Sequence, residues 1–310
     1  NKILIVSILI LIQLFVFFGI VFKLSEYFVA IYFILIALSF CMSIYIINKN
    51  DNPTYKLTWV LLIMAVPVFG GLIYLLFGGQ KVPKELRKRD SEALENYQEI
   101  SWQNTEIMEA LEAEDPLAHK QANYLWKNAI FPIYNHTETT YFPVGEEKFK
   151  AMVEELKKAE SFIFMEYFII APGVMWDTIL DILIDKVKQG VEVRVMYDDA
   201  GCITTLPQDY YLTLRRLGIQ AKVFNPIKPR LAMQMNNRDH RKILVIDGKV
   251  GMTGGINLAD EYINQKERFG HWKDCSVMIR GEAVWNLTLM FLQFWNYDEK
   301  EKDDVFSYKP

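Results

Sequence analysis

A histidine and a lysine stand two positions apart in the segment Asp239-His240-Arg241-Lys242-Ile243-Leu244-Val245-Ile246-Asp247-Gly248. The apolar run behind them has the composition of a buried strand. Side chains on a strand alternate faces, so His240 and Lys242 project from the same side. An imidazole beside an ammonium on a rigid strand suits attack on a phosphodiester. The imidazole serves as nucleophile or proton donor, and the ammonium neutralises a non-bridging oxygen as charge develops in the transition state. Downstream, Thr253-Gly254-Gly255-Ile256-Asn257 offers adjacent glycines whose N–H groups can approach a phosphate without a Cβ in the way. Asn257 adds a neutral donor. His271-Trp272-Lys273-Asp274 then leads into another apolar run, where the Asp274 carboxylate could hold the second nitrogen of His240 and fix its tautomer.

Each piece has a blander reading when taken singly, since a lone histidine is more often structural and a Gly-Gly pair is usually a turn. Together they define a candidate catalytic set of His240, Lys242, Asp247, Asn257 and Asp274. Within it, Asp247 closes the segment after a turn and reads better as a structural partner than as an acid. Gly254, Gly255, Glu166 and His271 are the candidates for contact with substrate. Glu166 lies in an apolar strand, where a buried carboxylate needs a partner, so it either lines the site or pairs with a structural Lys or Arg. Asp198 and Asp199 resemble a metal pair but sit at a strand end, where such residues more often cap a loop or helix.

The elements that must position these residues alternate between strand and helix. Residues 161–170, 191–197, 221–224, 243–246, 250–253 and 275–279 are short apolar runs with strand character. Residues 149–158, 175–189 and 209–217 carry helical spacing, and Gly190 and Gly218 follow the last two. This order implies an α/β layer architecture with helices covering a sheet. Trp285, Phe291, Phe294 and Trp295 recur at helical spacing and belong to its core. The acidic, aromatic stretch 298–308 reads as a linker.

The first 80 residues are different in kind. Three charge-free apolar runs, 3–22, 28–47 and 57–78, each have the length of a membrane-crossing helix. The third contains Pro67 and the Gly70-Gly71 pair, which suggests a kink or close packing. The expected organisation is therefore a transmembrane anchor over 1–80, a helical juxtamembrane linker over 81–123 broken at Pro116, and a polar lobe over 124–310. Lys81, Lys84, Arg87, Lys88 and Arg89 form the densest basic cluster beside any span and place the lobe on the cytoplasmic face of the cell membrane. Lys49 and Lys56 pull the other way. The basic cluster also suits anionic lipid head groups. With 34 basic and 38 acidic residues the net charge is −4, which argues against nucleic acid as a partner. Cys41, Cys202 and Cys275 have neither the spacing of a zinc site nor that of a disulfide framework.

The pattern H-x-K-x4-D at His240, Lys242 and Asp247, followed by G-G-x-N at Gly254, Gly255 and Asn257 and then by Asp274, resembles the phospholipase D superfamily. The run 57–78, Tyr141-Phe142-Pro143-Val144-Gly145, Met165-Glu166-Tyr167-Phe168 and Tyr197-Asp198-Asp199-Ala200-Gly201 narrow the resemblance to bacterial cardiolipin synthases. It extends over 57–295. The resemblance implies N-terminal transmembrane helices followed by a phospholipase D-type α/β/α lobe. It also implies a two-step phosphatidyl transfer between two phosphatidylglycerol molecules, without metal or cofactor, through a phosphatidyl-histidine. In that scheme His240 is nucleophile or acid/base, Lys242 and Asn257 bind phosphate, and Asp274 orients His240. Such sites use two H-x-K motifs, whereas this chain has one, its other histidines being His119, His136 and His271. A second lobe is expected either from a C-terminal half beyond this sequence, the favoured reading, or from a second chain. No turnover is expected without it. A phosphatidylserine synthase-like transferase, a lipase and a non-catalytic lipid-binding half share the same residues.

Overall fold

The computed structural model describes residues 11, 13–18, 28–78, 100, 102–227, 238–298 and 303–310. They divide into two compact units, one within Asn1–Val82 and Ile227–Asn237, the other within Pro83–Pro226 and Arg238–Pro310. In the first unit, α1 (Phe28–Asn48) is followed by α2 (Pro53–Ala65) and α3 (Pro67–Phe77). Asn52 caps α2 by accepting the Thr54 N–H at 2.9 Å, with Pro53 at the first helical position.

The run 57–78 is divided at Val66 because Pro67 cannot continue the hydrogen-bond ladder of α2. Gly70 then lets α3 come up against the backbone of Ile63. Ser39 donates to the Pro67 carbonyl at 2.6 Å and stitches the break to α1. Among the described residues, one helix, Val29–Asn48, is long and apolar enough to cross a bilayer. Most of the run 3–22 lies outside the described residues.

The second unit is built on one mixed sheet of seven strands in the order β1-β7-β6-β5-β2-β3-β4. These are β1 (Thr137–Phe142), β2 (Phe162–Tyr167), β3 (Glu192–Asp198), β4 (Gln220–Phe224), β5 (Lys242–Ile246), β6 (Val250–Gly254) and β7 (Ser276–Gly281). β2, β3 and β4 run parallel, and the remaining neighbours pair antiparallel. Six of the strands coincide with the apolar runs. β1 does not, because it is a polar edge strand, TETTYF, with no apolar alternation to betray it. Before the sheet come α4 (Thr105–Glu114) and α5 (Pro116–Ala129), separated at Asp115. Asp115 accepts the N–H groups of Leu117 and Ala118, so Pro116 breaks one helix by starting the next. Of the expected linker over 81–123, residues 81–99 and 101 lie outside the described residues.

Helices cover both faces. On one, Met152 and Leu156 of α6 (Gly145–Lys157) and Trp176, Ile179 and Leu183 of α7 (Val174–Lys188) pack on Ile163, Met165, Val195 and Leu244. On the other, α10 (Val284–Trp295) lays Trp285, Phe291 and Trp295 on Phe162, Phe164, Ile243 and Val245. Two short helices, α8 (Asp199–Cys202) and α9 (Tyr210–Arg216), follow β3.

Of the stretch read as a linker, residues 298 and 303–308 are described, and 303–308 are folded onto the sheet. Asp303 and Tyr308 each reach the Arg194 guanidinium at 2.6 Å, and the Tyr308 ring packs on Phe162 and Phe164 at 5.1 and 5.0 Å. Arg194 lies on a buried strand, so its charge draws the acidic tail in.

Phe291 stacks on Phe164 with centroids 4.6 Å apart and planes 12° from parallel. Phe291→Ala leaves a cavity between α10 and the sheet that neither can close. The expected loss is about 3–5 kcal/mol of unfolding free energy, read by denaturant titration of the detergent-solubilised chain against wild type.

Candidate active site

The strand register decides what meets what. Tyr167 pairs with Lys242, Ile243 with Thr253, and Gly254 with Ser276. The C-terminal ends of β2 and β3, the start of β5, the end of β6 and the start of β7 therefore share one edge of the sheet. His240, Lys242, Gly254, Gly255, Asn257 and Asp274 all come from this edge. The carboxyl ends of parallel strands are where open α/β sheets place their sites.

Two chain segments fix His240. Asp198, at the end of β3 and wholly buried, accepts the N–H groups of Ala200 and Gly201 at 2.8 and 3.1 Å and so caps α8. Its other oxygen accepts the Asp239 N–H at 3.0 Å, which holds the residue before His240. Asp198 of the apparent metal pair is thus a cap whose oxygens are taken by backbone donors. Behind it, Gly201 leaves room for the Phe168 carbonyl, which would overlap any Cβ there. The Phe168 ring then meets the imidazole of His240 at 4.7 Å and lies 5.3 Å from the Lys242 ammonium. The Tyr197–Gly201 and Met165–Phe168 motifs therefore act on the histidine through packing.

Lys242 is buried, and its Nζ donates to the His240 carbonyl at 2.6 Å. Burial lowers its pKa to about 8, against the opposing pull of the Asp239, Asp274 and Asp198 carboxylates. His240 is exposed at its edge. Its pKa is lowered, first by partial burial and then by the Lys242 charge, while Asp239 and Asp198 oppose the shift. The shift favours the neutral imidazole, the form a nucleophile requires. Among the described residues its ring nitrogens have no hydrogen-bond partner.

The Gly254–Asn257 loop is tightly held. A Cβ at Gly255 would fall on the Asp274 carboxylate, so this glycine is what allows Asp274 to lie against the loop. Asn257 is buried, accepts the Ile169 N–H at 3.0 Å and donates to the Tyr262 hydroxyl at 2.8 Å. It ties the loop to the segment after β2. Asp274 makes no hydrogen bond to His240 among the described residues. It accepts the Cys275 N–H at 2.8 Å, and its charge bears on Lys242 and Lys148.

Three of the sequence candidates stand apart from this cluster. Asp247 is at the far end of β5, roughly 16 Å from Lys242 by strand rise. There it accepts the N–H groups of Glu160, Ser161 and Phe162 at 2.9, 2.7 and 2.8 Å, holding the start of β2. Glu166 points to the opposite face of the sheet, wholly buried, in a 2.5 Å ion pair with Arg241. Burial raises its pKa well above the usual carboxylate range despite Arg241. Arg241 stacks on Phe294 at 3.7 Å on that same face. His271 is exposed in the loop before β7, with no contact to His240 or Lys242 among the described residues.

Sequence reasoning passed over Lys148. It is buried on α6, with Nζ 3.3 Å from the Tyr167 hydroxyl and 3.4 Å from the Ile256 carbonyl. A signal was present, because Lys148, Met152 and Leu156 recur every four residues on the apolar stripe of α6.

Asp247→Ala removes the acceptor of three N–H groups without touching the His240 edge. It is expected to lower unfolding free energy by about 2 kcal/mol, seen as a lower Tm, while a soluble phosphodiester binds as in wild type.

The chain matches known protein families. The model for "Cardiolipin synthase, PLD-like domain" matches residues 152–272, which include His240, Lys242, Asp247 and Asn257 but stop short of Asp274. The model for "Phospholipase_D-nuclease N-terminal" matches residues 29–79. An uncharacterised protein of Streptococcus mutans is 47% identical over 262 residues, covering 83% of this chain and 56% of that relative. The cardiolipin synthase of Alkalihalophilus pseudofirmus is 39% identical over 265 residues, 84% of this chain and 52% of its own length. That of Geobacillus thermodenitrificans is 36% identical over 278 residues, 88% and 54% respectively. The chain spans about half the length of the curated relatives it matches. By these matches it belongs to the cardiolipin synthase family of the phospholipase D superfamily.

Proposed function

We propose that the His240 edge is one half of a site that transfers a phosphatidyl group between two phosphatidylglycerol molecules, giving cardiolipin and glycerol. The observation that carries this reading is an exposed imidazole held beside a buried ammonium at the sheet edge. In the first step a histidine nitrogen attacks phosphorus. The phosphorus–oxygen bond to the head-group glycerol breaks, and that oxygen takes a proton from a second histidine. In the second step the hydroxyl of another phosphatidylglycerol gives its proton to the second histidine and attacks phosphorus, releasing the first. His240 fills one of these two roles. A second H-x-K lobe, from a longer chain or another copy, fills the other. Lys242 neutralises a non-bridging oxygen throughout, and Gly254, Gly255 and Asn257 shape the phosphate-facing loop.

Residues 124–310 are, on this reading, one phospholipase D-type α/β/α lobe. Residues 81–123 connect it to an anchor over 1–80, in which the apolar runs 3–22, 28–47 and 57–78 enter the cell membrane. The basic cluster from Lys81 to Arg89 favours the cytoplasmic face and anionic lipid. Glu166 and His271, outside the edge cluster, take no part in the proposed chemistry.

Phosphatidylglycerol vesicles containing EDTA provide the test. A version of the chain extended by a second H-x-K lobe is expected to form cardiolipin and glycerol, and His240→Ala to abolish both. Release of phosphatidic acid in place of cardiolipin would make water the acceptor and refute the transfer. The pH profile follows from the two shifts. His240 must be unprotonated to attack, so in that role its acid limb lies below the ordinary histidine value of about 6.5. Lys242 must be protonated, so activity falls as pH rises through about 8.

A further inference from the structure

Buried ammonium groups are normally neutralised by a carboxylate or left uncharged. Lys148 has neither a paired carboxylate nor an open route to water. It is buried, its Nζ contacts are a phenol and a carbonyl, and among the described residues no carboxylate forms an ion pair with it. The same Nζ lies 5.1 Å from the centre of the Tyr167 ring, which supplies a weak cation site.

Its position is specific. Tyr167 is the cross-strand partner of Lys242, and Ile256 sits between Gly255 and Asn257 in the loop of the site. Lys148 therefore touches both the strand beside Lys242 and the loop that faces the phosphate. The charges that act on it converge from separate elements: Asp274 ahead of β7 attracts its proton, and Lys242 on β5 repels it. Tyr167 on β2 is neutral, its own pKa raised by burial. On its own helix, Glu146 is turned away to Asn264 at 2.7 Å.

We propose that Lys148 is a positioning residue of the phosphate site, holding the Gly254–Asn257 loop from behind and taking up a proton when an anionic phosphodiester binds beside Lys242. The inference rests on the phosphate-site reading of the His240 edge. Burial brings the pKa of Lys148 down to about 7 in the free protein. An added anion raises it, so binding draws in a proton at pH values just above 7. Affinity for the anion then falls as pH rises from 7 until the bound-state pKa is passed. Lys242 contributes a separate limb near 8.

The probe is glycerophosphoglycerol, a soluble phosphodiester that does not titrate near neutrality. Its binding to the detergent-solubilised chain is followed by calorimetry between pH 6 and 9 in buffers of different ionisation enthalpy, which counts protons taken up. Wild type is expected to bind with proton uptake centred just above pH 7. Lys148→Met is expected to lose that uptake and about fivefold in affinity at pH 7, approaching tenfold at pH 6, as about one unit of pKa coupling requires. Lys148→Arg keeps a fixed charge and serves if the Met variant does not fold; it is expected to bind without the uptake near 7. Uptake unchanged in the variants that fold, with affinity lost in Lys242→Met, would overturn the role of Lys148 and leave the phosphate site standing. Absence of binding by wild type, or binding indifferent to Lys242→Met, would overturn both.

Discussion

The site depends on an ammonium group buried at the start of a central strand. Lys242 begins β5 with apolar residues behind it and neighbours on both sides, and water reaches it little. Such a charge is costly to bury, and the surrounding structure offsets the cost piece by piece. The His240 carbonyl accepts its hydrogen bond at 2.6 Å, the Phe168 ring offers its face, and the carboxylates of Asp198, Asp239 and Asp274 act through space. The offset is incomplete, since burial still outweighs them and lowers the pKa to about 8. An arriving phosphodiester anion would complete it. The bond to its own neighbour's carbonyl also stiffens the turn into β5, so the lysine that would receive phosphate fixes the backbone of the histidine that would attack it.

Strand alternation separates this chemistry from a second polar network on the other face. Asp239 and Arg241 flank His240 but point away from it, and Arg241 pairs with the wholly buried Glu166. A buried pair of this kind contributes little net stability, because desolvation consumes much of the attraction. Its evident consequence is positional. Arg241 is pinned between Glu166, Asp239 and the Phe294 ring, and Asp239 is pinned by its N–H to Asp198. A slip of one residue in β5 would bring Arg241 to the site face and bury His240.

The spacing of His240 and Lys242 and six of the seven strands were legible because apolar runs report burial directly. The strand itself begins at Lys242, so His240 is held ahead of it by the Phe168 ring and not by strand alternation. The same reasoning favoured a structural Asp247, and its three backbone N–H bonds show what it holds. The pairing of a buried Glu166 with a structural Lys or Arg was legible, and Arg241 is that partner. Asp274 was legible only as a residue type, because spacing along a chain cannot say which face a loop will turn toward. β1 escaped notice because a polar edge strand has no hydrophobic period. The tail escaped because its partner, Arg194, lies 109 residues away from Asp303 in sequence. Lys148 was not legible because the helical spacing was read over 149–158, one residue past it, whereas the helix starts at Gly145. Its four-residue spacing to Met152 and Leu156 was the clue.

The most direct test of this account is the titration of Lys242 itself, read by NMR at its ε-carbon in the detergent-solubilised chain with and without a phosphodiester. The desolvated ammonium described above predicts a midpoint near 8 in the free protein, moving upward when the phosphodiester is added. A midpoint at the ordinary lysine value of about 10.4, unmoved by the ligand, would mean that Lys242 is neither desolvated nor a phosphate anchor, and would contradict the account at its centre.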